Sequence, residues 1–298
     1  MKPFSISVNL IFILFTLCTS SKAHYDEIPL FSFGVMADVQ YCECKSSGER
    51  MYRSSPRKLE ETVGAFNDRE LKFIAHLGDF IDRDFESYDK LLAITAQLKA
   101  PLHFALGNHE YSVEEHLKDK VMSKLGLKQA YYSLDMEDWK FIFLDGNDLS
   151  FYRVSEDDKK FNETNRMFSK IKSRNKPNAR QWNGGYGKEQ LLWLEKELKE
   201  TRDKKIILFS HFPIFPFQSH NSWNDEEVVD LLLEYPNVVA WMNGHNHDGN
   251  YAQKDHIHFV NFKGMVNTKE NAYAIVTIYR DKIVIKGFGR EVDRVLEY

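Results

Sequence analysis

This chain lacks a dominant charge of either sign. Its 40 Lys and Arg residues stand against 44 Asp and Glu residues, a formal net charge of −4. No tract is basic enough to argue for nucleic acid as a partner. Long apolar runs are also missing. The longest, Val8 to Cys18, is broken by Asn9 and Thr16 and falls short of the roughly 20 residues needed to cross a bilayer, which argues against a permanent membrane anchor. No internal repeat and no sign of a second core are present. Cysteine is scarce, with three in 298 residues. Cys18 lies in the N-terminal run, which leaves Cys42 and Cys44 in a Cys-Glu-Cys sequence. A disulfide spanning one intervening residue closes a very small, strained loop. Two free thiols at a site mouth, or a weak extra metal interaction, are the other readings.

What is present is 43% hydrophobic and 14% aromatic residues, ample for a large core. Lys2, the apolar run and the small-residue exit Ser20-Ser21-Lys22-Ala23 form the pattern of a secretory signal. Cleavage after Ala23 leaves one domain over residues 24–298, secreted or lumenal in the secretory pathway. Asn162-Glu163-Thr164 is a glycosylation acceptor triplet compatible with that route.

Strands and helices alternate along the chain. Apolar runs predict strands at Phe31–Ala37, Lys72–Leu77, Leu102–Leu106, Lys205–Phe209 and Val238–Met242. Three more follow at Ile257–Phe262, Ala272–Tyr279 and Lys282–Gly287. Tyr131–Leu134 and Trp139–Leu144 read as an antiparallel pair. Helical spacing occupies Pro56–Phe66, Phe85–Leu98 and Gly187–Glu200, the last with Leu191, Leu192, Leu194 and Leu198 inward, and a further helix begins at Asn224. The order implies an α/β sandwich of two mixed β-sheets flanked by helices. Ser150–Gly185 reads as one long irregular stretch. From Thr164 to Lys188 it has no acid but carries Arg166, Lys170, Lys172, Arg174, Lys176 and Arg180, so it is either a solvated insertion or a lid for an anionic substrate.

Five predicted strands end in polar blocks: Asp38-Val39-Gln40, Gly78-Asp79-Phe80-Ile81-Asp82, Gly107-Asn108-His109-Glu110, Ser210-His211 and Gly244-His245-Asn246-His247. One such block is weak evidence, since an aspartate after a strand is usually a cap and an isolated histidine usually structural. Five in series at strand ends, where ligands collect in open α/β sheets, point to convergence. Carboxylate, amide and imidazole donors without thiolate suit Mn²⁺, Fe²⁺ or Zn²⁺ in a catalytic role. Seven donors are too many for one ion with open positions, and two ions about 3.5–4 Å apart sharing a carboxylate account for them. His76, His103, His116, His220, His256 and His258 lack this context and read as structural or surface residues.

In series, the blocks resemble those of the calcineurin-like metallophosphoesterases: D-x-H, G-D-x-x-D or Y, G-N-H-D or E, H, and G-H-x-H. The resemblance implies that Asp79 bridges two ions. It implies that Asp38, Gln40 and His247 complete one site, and Asn108, His211 and His245 the other. His109 is implied to stabilise or protonate the leaving oxygen, with Asp82 orienting its imidazole. Three positions narrow the choice. Gln40 stands where most of the superfamily has histidine, Asp82 where purple acid phosphatases have tyrosine, and Leu106 where protein Ser/Thr phosphatases have arginine.

Further segments extend the likeness over most of the chain: Ala37-Asp38-Val39-Gln40-Tyr41, Tyr52-Arg53, Leu144-Asp145, Asn183-Gly184-Gly185, Gly244–Gly249 and Lys286–Arg290. They resemble the manganese-dependent ADP-ribose/CDP-alcohol diphosphatases, of which Gln40 is typical. That resemblance implies two divalent ions, Mn²⁺ first, and a small-molecule nucleoside diphosphate substrate cleaved to a nucleoside monophosphate and a phosphorylated sugar or alcohol. Arg53 is a candidate to hold the second phosphate, or is a solvated arginine at a helix start. Arg290 is a similar candidate, and Tyr41 and Tyr186 either stack on the base or pack in core or rim. The alternatives are a phosphodiesterase or phosphomonoesterase of the same fold and a catalytically dead binding module. The last should lack ligands, whereas only the Gln40 position departs here.

Overall fold

A computed structural model describes residues 28–298; the signal segment predicted over residues 1–23 lies outside the described residues. The chain runs through β1 (Phe31–Met36), α1 (Ser55–Asn67), β2 (Ile74–His76), α2 (Ser87–Thr95) and β3 (Leu102–Phe104). A short α3 (Val121–Lys124) precedes β4 (Tyr132–Met136), β5 (Trp139–Phe143), α4 (Phe161–Ser173) and α5 (Lys188–Glu200). Then come β6 (Lys205–Phe209), α6 (Asp225–Leu233), β7 (Val238–Asn243), β8 (Asn250–Lys254) and β9 (Ile257–Asn261). The chain closes with β10 (Ala272–Ile278), β11 (Lys282–Gly289) and β12 (Arg294–Glu297).

The strands make two six-stranded mixed sheets, ordered β12-β11-β10-β1-β2-β3 and β4-β5-β6-β7-β9-β8. Within the first, β1, β2 and β3 are parallel. Within the second, β5, β6, β7 and β9 are parallel, and β4 and β8 form antiparallel edges. Buried aromatic rings fill the space between the sheets, among them Phe31, Phe33, Phe73, Trp139, Phe141 and Phe209. Phe33 stacks on Phe73 with centroids 4.7 Å apart, and Phe141 meets Phe73 edge-on at 4.9 Å. Each such ring contributes about 1.5–3 kcal/mol by leaving water.

Helices cover the outer faces. In α1, Pro56 pre-sets the first turn, and Leu59, Val63 and Phe66 recur at helical spacing. They pack with Ile74 and with Leu91 and Ile94 of α2. On the other sheet, Leu194 and Leu198 of α5 join Val228, Val229 and Leu232 of α6. No helix among the described residues is long and apolar enough to cross a membrane.

Four expectations change. Leu192 does not face inward; it is 55% exposed on the outer side of α5. The stretch Ser150–Gly185 is not irregular throughout, because it contains α4. Thr164, Met167, Phe168 and Ile171 form a narrow stripe there, and its apolar members pack on Phe151 and Trp223. The basic residues beside that stripe do not form a lid over the strand ends. Arg166, Lys170 and Arg174 share a cleft with Asp225, Glu226 and Glu227 at the start of α6, and Lys176 pairs with Glu226. Strands β8 and β12 also went unpredicted, because edge strands such as Asn-Tyr-Ala-Gln-Lys expose alternate residues and carry little apolar signal.

Truncation of Phe141 to alanine is expected to lower the unfolding free energy by about 3–5 kcal/mol. Chemical denaturation of the purified variant measures it, and a loss under about 1 kcal/mol would show that the ring does not hold the sheets together.

Candidate metal centre

Parallel pairing sends the exits of β1, β2 and β3 to one end of their sheet, and those of β6 and β7 to one end of theirs. Backbone bonds then tie the exits together. Asp38 N–H donates to Gly78 O at 3.0 Å, Gly244 N–H to His211 O at 3.1 Å, and His245 N–H to Asp38 Oδ2 at 3.1 Å. The five blocks therefore meet across the two sheets. Four of the residues there have left-handed backbones: Asp38, Gln40, Asp79 and His245, with φ of 53°, 41°, 57° and 70°. Non-glycine residues rarely adopt this conformation, and such strain clusters at functional sites. Two glycines make the close approach possible. A Cβ on Gly107 would lie 2.2 Å from Asp79 Oδ1, and one on Gly244 would lie 2.6 Å from Asp38 Oδ2.

Five of the seven side chains form two overlapping groups. Asp79, His211 and His245 are one, and Asp38, Asp79 and His247 the other, so Asp79 belongs to both. His211 Nε2 lies 3.0 Å from His245 Nδ1, 3.2 Å from Asn108 Oδ1 and 3.3 Å from Asp79 Oδ2. His247 Nε2 is 3.3 Å from Asp38 Oδ1. Gln40 Nε2 reaches Asp79 Oδ2 at 3.0 Å, while Gln40 Oε1 is buried with no partner.

The donor set fits a pair of cations. Unpaired buried carboxylates and amide oxygens are costly unless a positive charge balances them. Burial pushes the Asp79 carboxyl up, but the imidazoles of His211 and His109 outweigh it and hold it well below the usual range. Burial lowers His211, and Asp79 more than reverses this, raising it to about 9. Burial and the His211 charge together push His245 well below its ordinary value. The field that holds a proton on His211 favours a cation at the same point.

Each imidazole also has an oxygen partner behind it. His211 Nδ1 meets Leu77 O at 2.8 Å, His245 Nε2 meets Asn183 Oδ1 at 3.0 Å, and His247 Nδ1 meets Asn267 Oδ1 at 2.8 Å. A ring nitrogen that donates there leaves the other bare and facing the centre. Asn267 was not foreseen, because it belongs to no strand-end block. Glu110 closes the block Gly107-Asn108-His109-Glu110, yet no role was expected of it. Buried to 1% exposure, its carboxylate accepts the N–H groups of Asp79 at 2.9 Å, Phe80 at 2.5 Å and Gly107 at 2.6 Å. It thereby joins two of the loops that bear site residues.

The remaining candidates divide. His109 Nδ1 meets the main-chain oxygen of Asp82 at 2.7 Å, with the Asp82 carboxylate farther away at 3.4 Å. Orientation of the ring thus falls to the Asp82 backbone and not to its side chain, which Arg83 Nε binds at 2.6 Å. Tyr186 is fully buried, its hydroxyl 2.7 Å from Ser210 Oγ, and it cannot stack on a substrate. Tyr41 is buried at 3% exposure, with its hydroxyl held by Glu43 and Lys90. Arg53 is exposed and engaged with Glu43, at 2.9 Å to its carbonyl and 3.3 Å to its carboxylate. Arg290 donates to Gly264 O, at the rim behind His247.

Other residues occupy the mouth instead. Trp182 is partly exposed, its ring 5.3 Å from that of His245 and 5.0 Å from that of His220. His220, read as structural, is thus part of the surround. Trp182 also lines an open cleft of about 540 Å³ with Tyr111, Phe151, Tyr152 and Gln181. Burial and Asp79 push the Tyr152 hydroxyl up while Arg50 opposes them. Arg50 also adds to the depression of His220 by burial and by His247. Arg50, three residues before the arginine expected, bridges Asn267 through its backbone, which places it beside the partner of His247.

Residues 31–249 match the family model described as calcineurin-like phosphoesterase. The chain belongs to the calcineurin-like phosphoesterase family. Among its relatives, a manganese-dependent ADP-ribose/CDP-alcohol diphosphatase of Mus musculus is 30% identical over 95% of this chain and 97% of its own. One of Arabidopsis thaliana is 29% identical, over 88% and 95%. The crystal structure of a dimetal phosphatase from Danio rerio superposes with a TM-score of 0.82 at 24% identity, covering 91% of this chain and all of that one. This calcineurin-like phosphoesterase is accordingly a metal-dependent phosphohydrolase with a place for two metal ions.

Replacement of Glu110 by alanine strands three buried N–H groups, each costing about 1–3 kcal/mol when unpaired. The variant is expected to bind Mn²⁺ more weakly by calorimetry and to unfold at lower denaturant. Unchanged metal affinity would remove Glu110 from the support of the centre.

Proposed function

We propose that this phosphohydrolase cleaves the diphosphate bond of ADP-ribose, CDP-alcohols or related nucleoside diphosphate derivatives. The observation that carries the reading is the sharing of Asp79 between two donor groups beside an aromatic cleft. Asp38, Gln40, Asp79 and His247 hold one ion, and Asp79, Asn108, His211 and His245 the other; Mn²⁺ is the metal, as the relatives' names suggest. When bound, such a pair neutralises charge on phosphoryl oxygens and lowers the pKa of coordinated water.

The chain's own residues do the rest. His109 Nε2 lies 4.0 Å from Asp79 Oδ2, and with Nδ1 fixed on the Asp82 carbonyl it is aimed to protonate the leaving oxygen. Arg50 and Arg290, at the two sides of the mouth, supply positive charge for the second phosphate. Trp182 and Tyr152 offer aromatic faces to the nucleobase, whose stacking is worth about 1–3 kcal/mol. The cleft favours a nucleotide over a simple ester, since a phosphomonoester would leave its aromatic wall unused. The pairing of Cys42 with Cys44 and the predicted N-terminal signal support activity in an oxidising, extracytoplasmic compartment.

Assay of ADP-ribose, CDP-choline, cyclic AMP and an aryl phosphate with added Mn²⁺ tests the substrate class. The first two are expected to turn over fastest, and a preference for either of the others would refute the diphosphatase reading. Asp79→Asn and His245→Ala are each expected to lower turnover by at least about 100-fold with an unchanged circular dichroism spectrum. Full activity in either would sink the assigned ligands. Trp182→Ala should raise KM for ADP-ribose by about fivefold or more and leave the aryl phosphate unaffected; equal effects on both would place the base elsewhere.

A further inference from the structure

Apart from the seven donors, three more ligand-type side chains converge. Cys42, Cys44 and Asp82 present sulfur and carboxylate atoms all within 4.8 Å of one another. The cysteines are joined in a disulfide, their Cα atoms 5.1 Å apart. Cys42 Sγ lies 3.8 Å from Asp82 Oδ2; a disulfide sulfur has no proton to donate, so the carboxylate gains no hydrogen bond from it. Asp82 is buried, and its Oδ1 has no hydrogen-bond partner. Arg83 Nε holds the other oxygen, Oδ2, at 2.6 Å, so Oδ1 keeps acceptor capacity that no group in the fold uses.

We propose that reduction of the Cys42–Cys44 disulfide opens a third metal site, in which both thiolates and the Asp82 carboxylate bind one thiophilic divalent cation, Zn²⁺ or Cd²⁺. Tetrahedral zinc with bonds of about 2.3 Å to sulfur and 2.0–2.2 Å to oxygen has a sulfur–oxygen edge of about 3.6 Å and a sulfur–sulfur edge of about 3.8 Å. The Cys42–Asp82 edge is already close to that length. Only the sulfurs have to part, and the movement falls on Cys44. Cys42 is fully buried, whereas Cys44 is partly exposed and leads into the exposed turn Lys45–Glu49. Three protein donors leave the fourth corner to water. Thiolates select Zn²⁺ or Cd²⁺ over Mn²⁺, so this site and the N/O-donor centre differ in metal preference.

The chemistry balances with a phosphine reductant. Disulfide, phosphine and water yield two thiols and phosphine oxide, and the cation then displaces both thiol protons to solvent. While the disulfide is intact, both sulfurs are occupied and the site does not exist. Ligation also competes with Arg83 for the Asp82 carboxylate, and Asp82 positions His109 through its carbonyl. Occupation therefore slows turnover, a consequence that rests on the phosphohydrolase reading, whereas formation of the site does not.

The test uses the full chain loaded with Mn²⁺, with and without a trialkylphosphine, titrated with Cd²⁺ while the ultraviolet sulfur-to-cadmium charge-transfer band is recorded. Reduced wild-type protein is expected to take one additional equivalent of Cd²⁺ with growth of this band and a parallel fall in turnover. The oxidised protein should show no band, nor should reduced Cys44→Ser, a change at a partly exposed position. Asp82→Asn should need more Cd²⁺ to reach the same absorbance. Absence of the band in reduced wild type, an equal band in Cys44→Ser, or an undiminished Cd²⁺ affinity in Asp82→Asn would each overturn the proposed ligand set. A full band with unchanged turnover would overturn only the link to His109.

Discussion

Asp79 is a buried carboxylate on a left-handed residue, held between the imidazole of His211 from the other sheet and that of His109 from its own. Its negative charge is tolerable only because positive charge is supplied beside it, and the surroundings are built around that requirement. Gly107 leaves the space its oxygen occupies, and the Glu110 carboxylate grips the Asp79 and Phe80 amides. Gln40 Nε2 and His211 Nε2 both approach the same Oδ2. These contacts come from the ends of three strands, β1, β3 and β6, in two sheets, so the sandwich must close before the charge is balanced.

The aromatic core explains how two sheets stay rigid enough to do this. Phe33, Phe73, Phe141 and Phe209 interlock across the sheets, which fixes the exits of β1 and β2 relative to those of β6 and β7. Outer-sphere oxygens then set the histidines. The Leu77 carbonyl, Asn183 and Asn267 each engage one ring nitrogen, so the protonation pattern follows from the fold. Asn267 is in turn placed by a loop whose carbonyls, at Met265, Asn267 and Thr268, surround the buried Lys58 ammonium. Burial is the main reason that lysine is lowered to about 8.

Much of this was legible from residues alone. Apolar runs such as Lys205–Phe209 and Val238–Met242 are continuous because parallel strands are covered on both faces, and they end at the polar blocks that mark the site. Helix α4 was hidden because its stripe is only four residues wide and includes Thr164. The aromatic candidates went astray for a related reason. Tyr41 and Tyr186 stand beside motif residues in the chain, yet pack into separate cores. Trp182 and Tyr152, which border the cleft, come from the stretch with least periodicity.

Sequence by itself determined the strand order of donors, the chemical types of the seven candidate ligands, and the family those blocks belong to. These are local properties: a strand's apolar pattern and the residue that follows it. Only the tertiary structure decided which donors share a centre, that a main-chain carbonyl and not the Asp82 carboxylate steers His109, and that Trp182 stands against His245 while Tyr186 is fully buried. It also placed the Cys42–Cys44 pair against Asp82. Such outcomes depend on the separation of side chains brought together from distant parts of the chain, and that separation is set by how the two sheets pack.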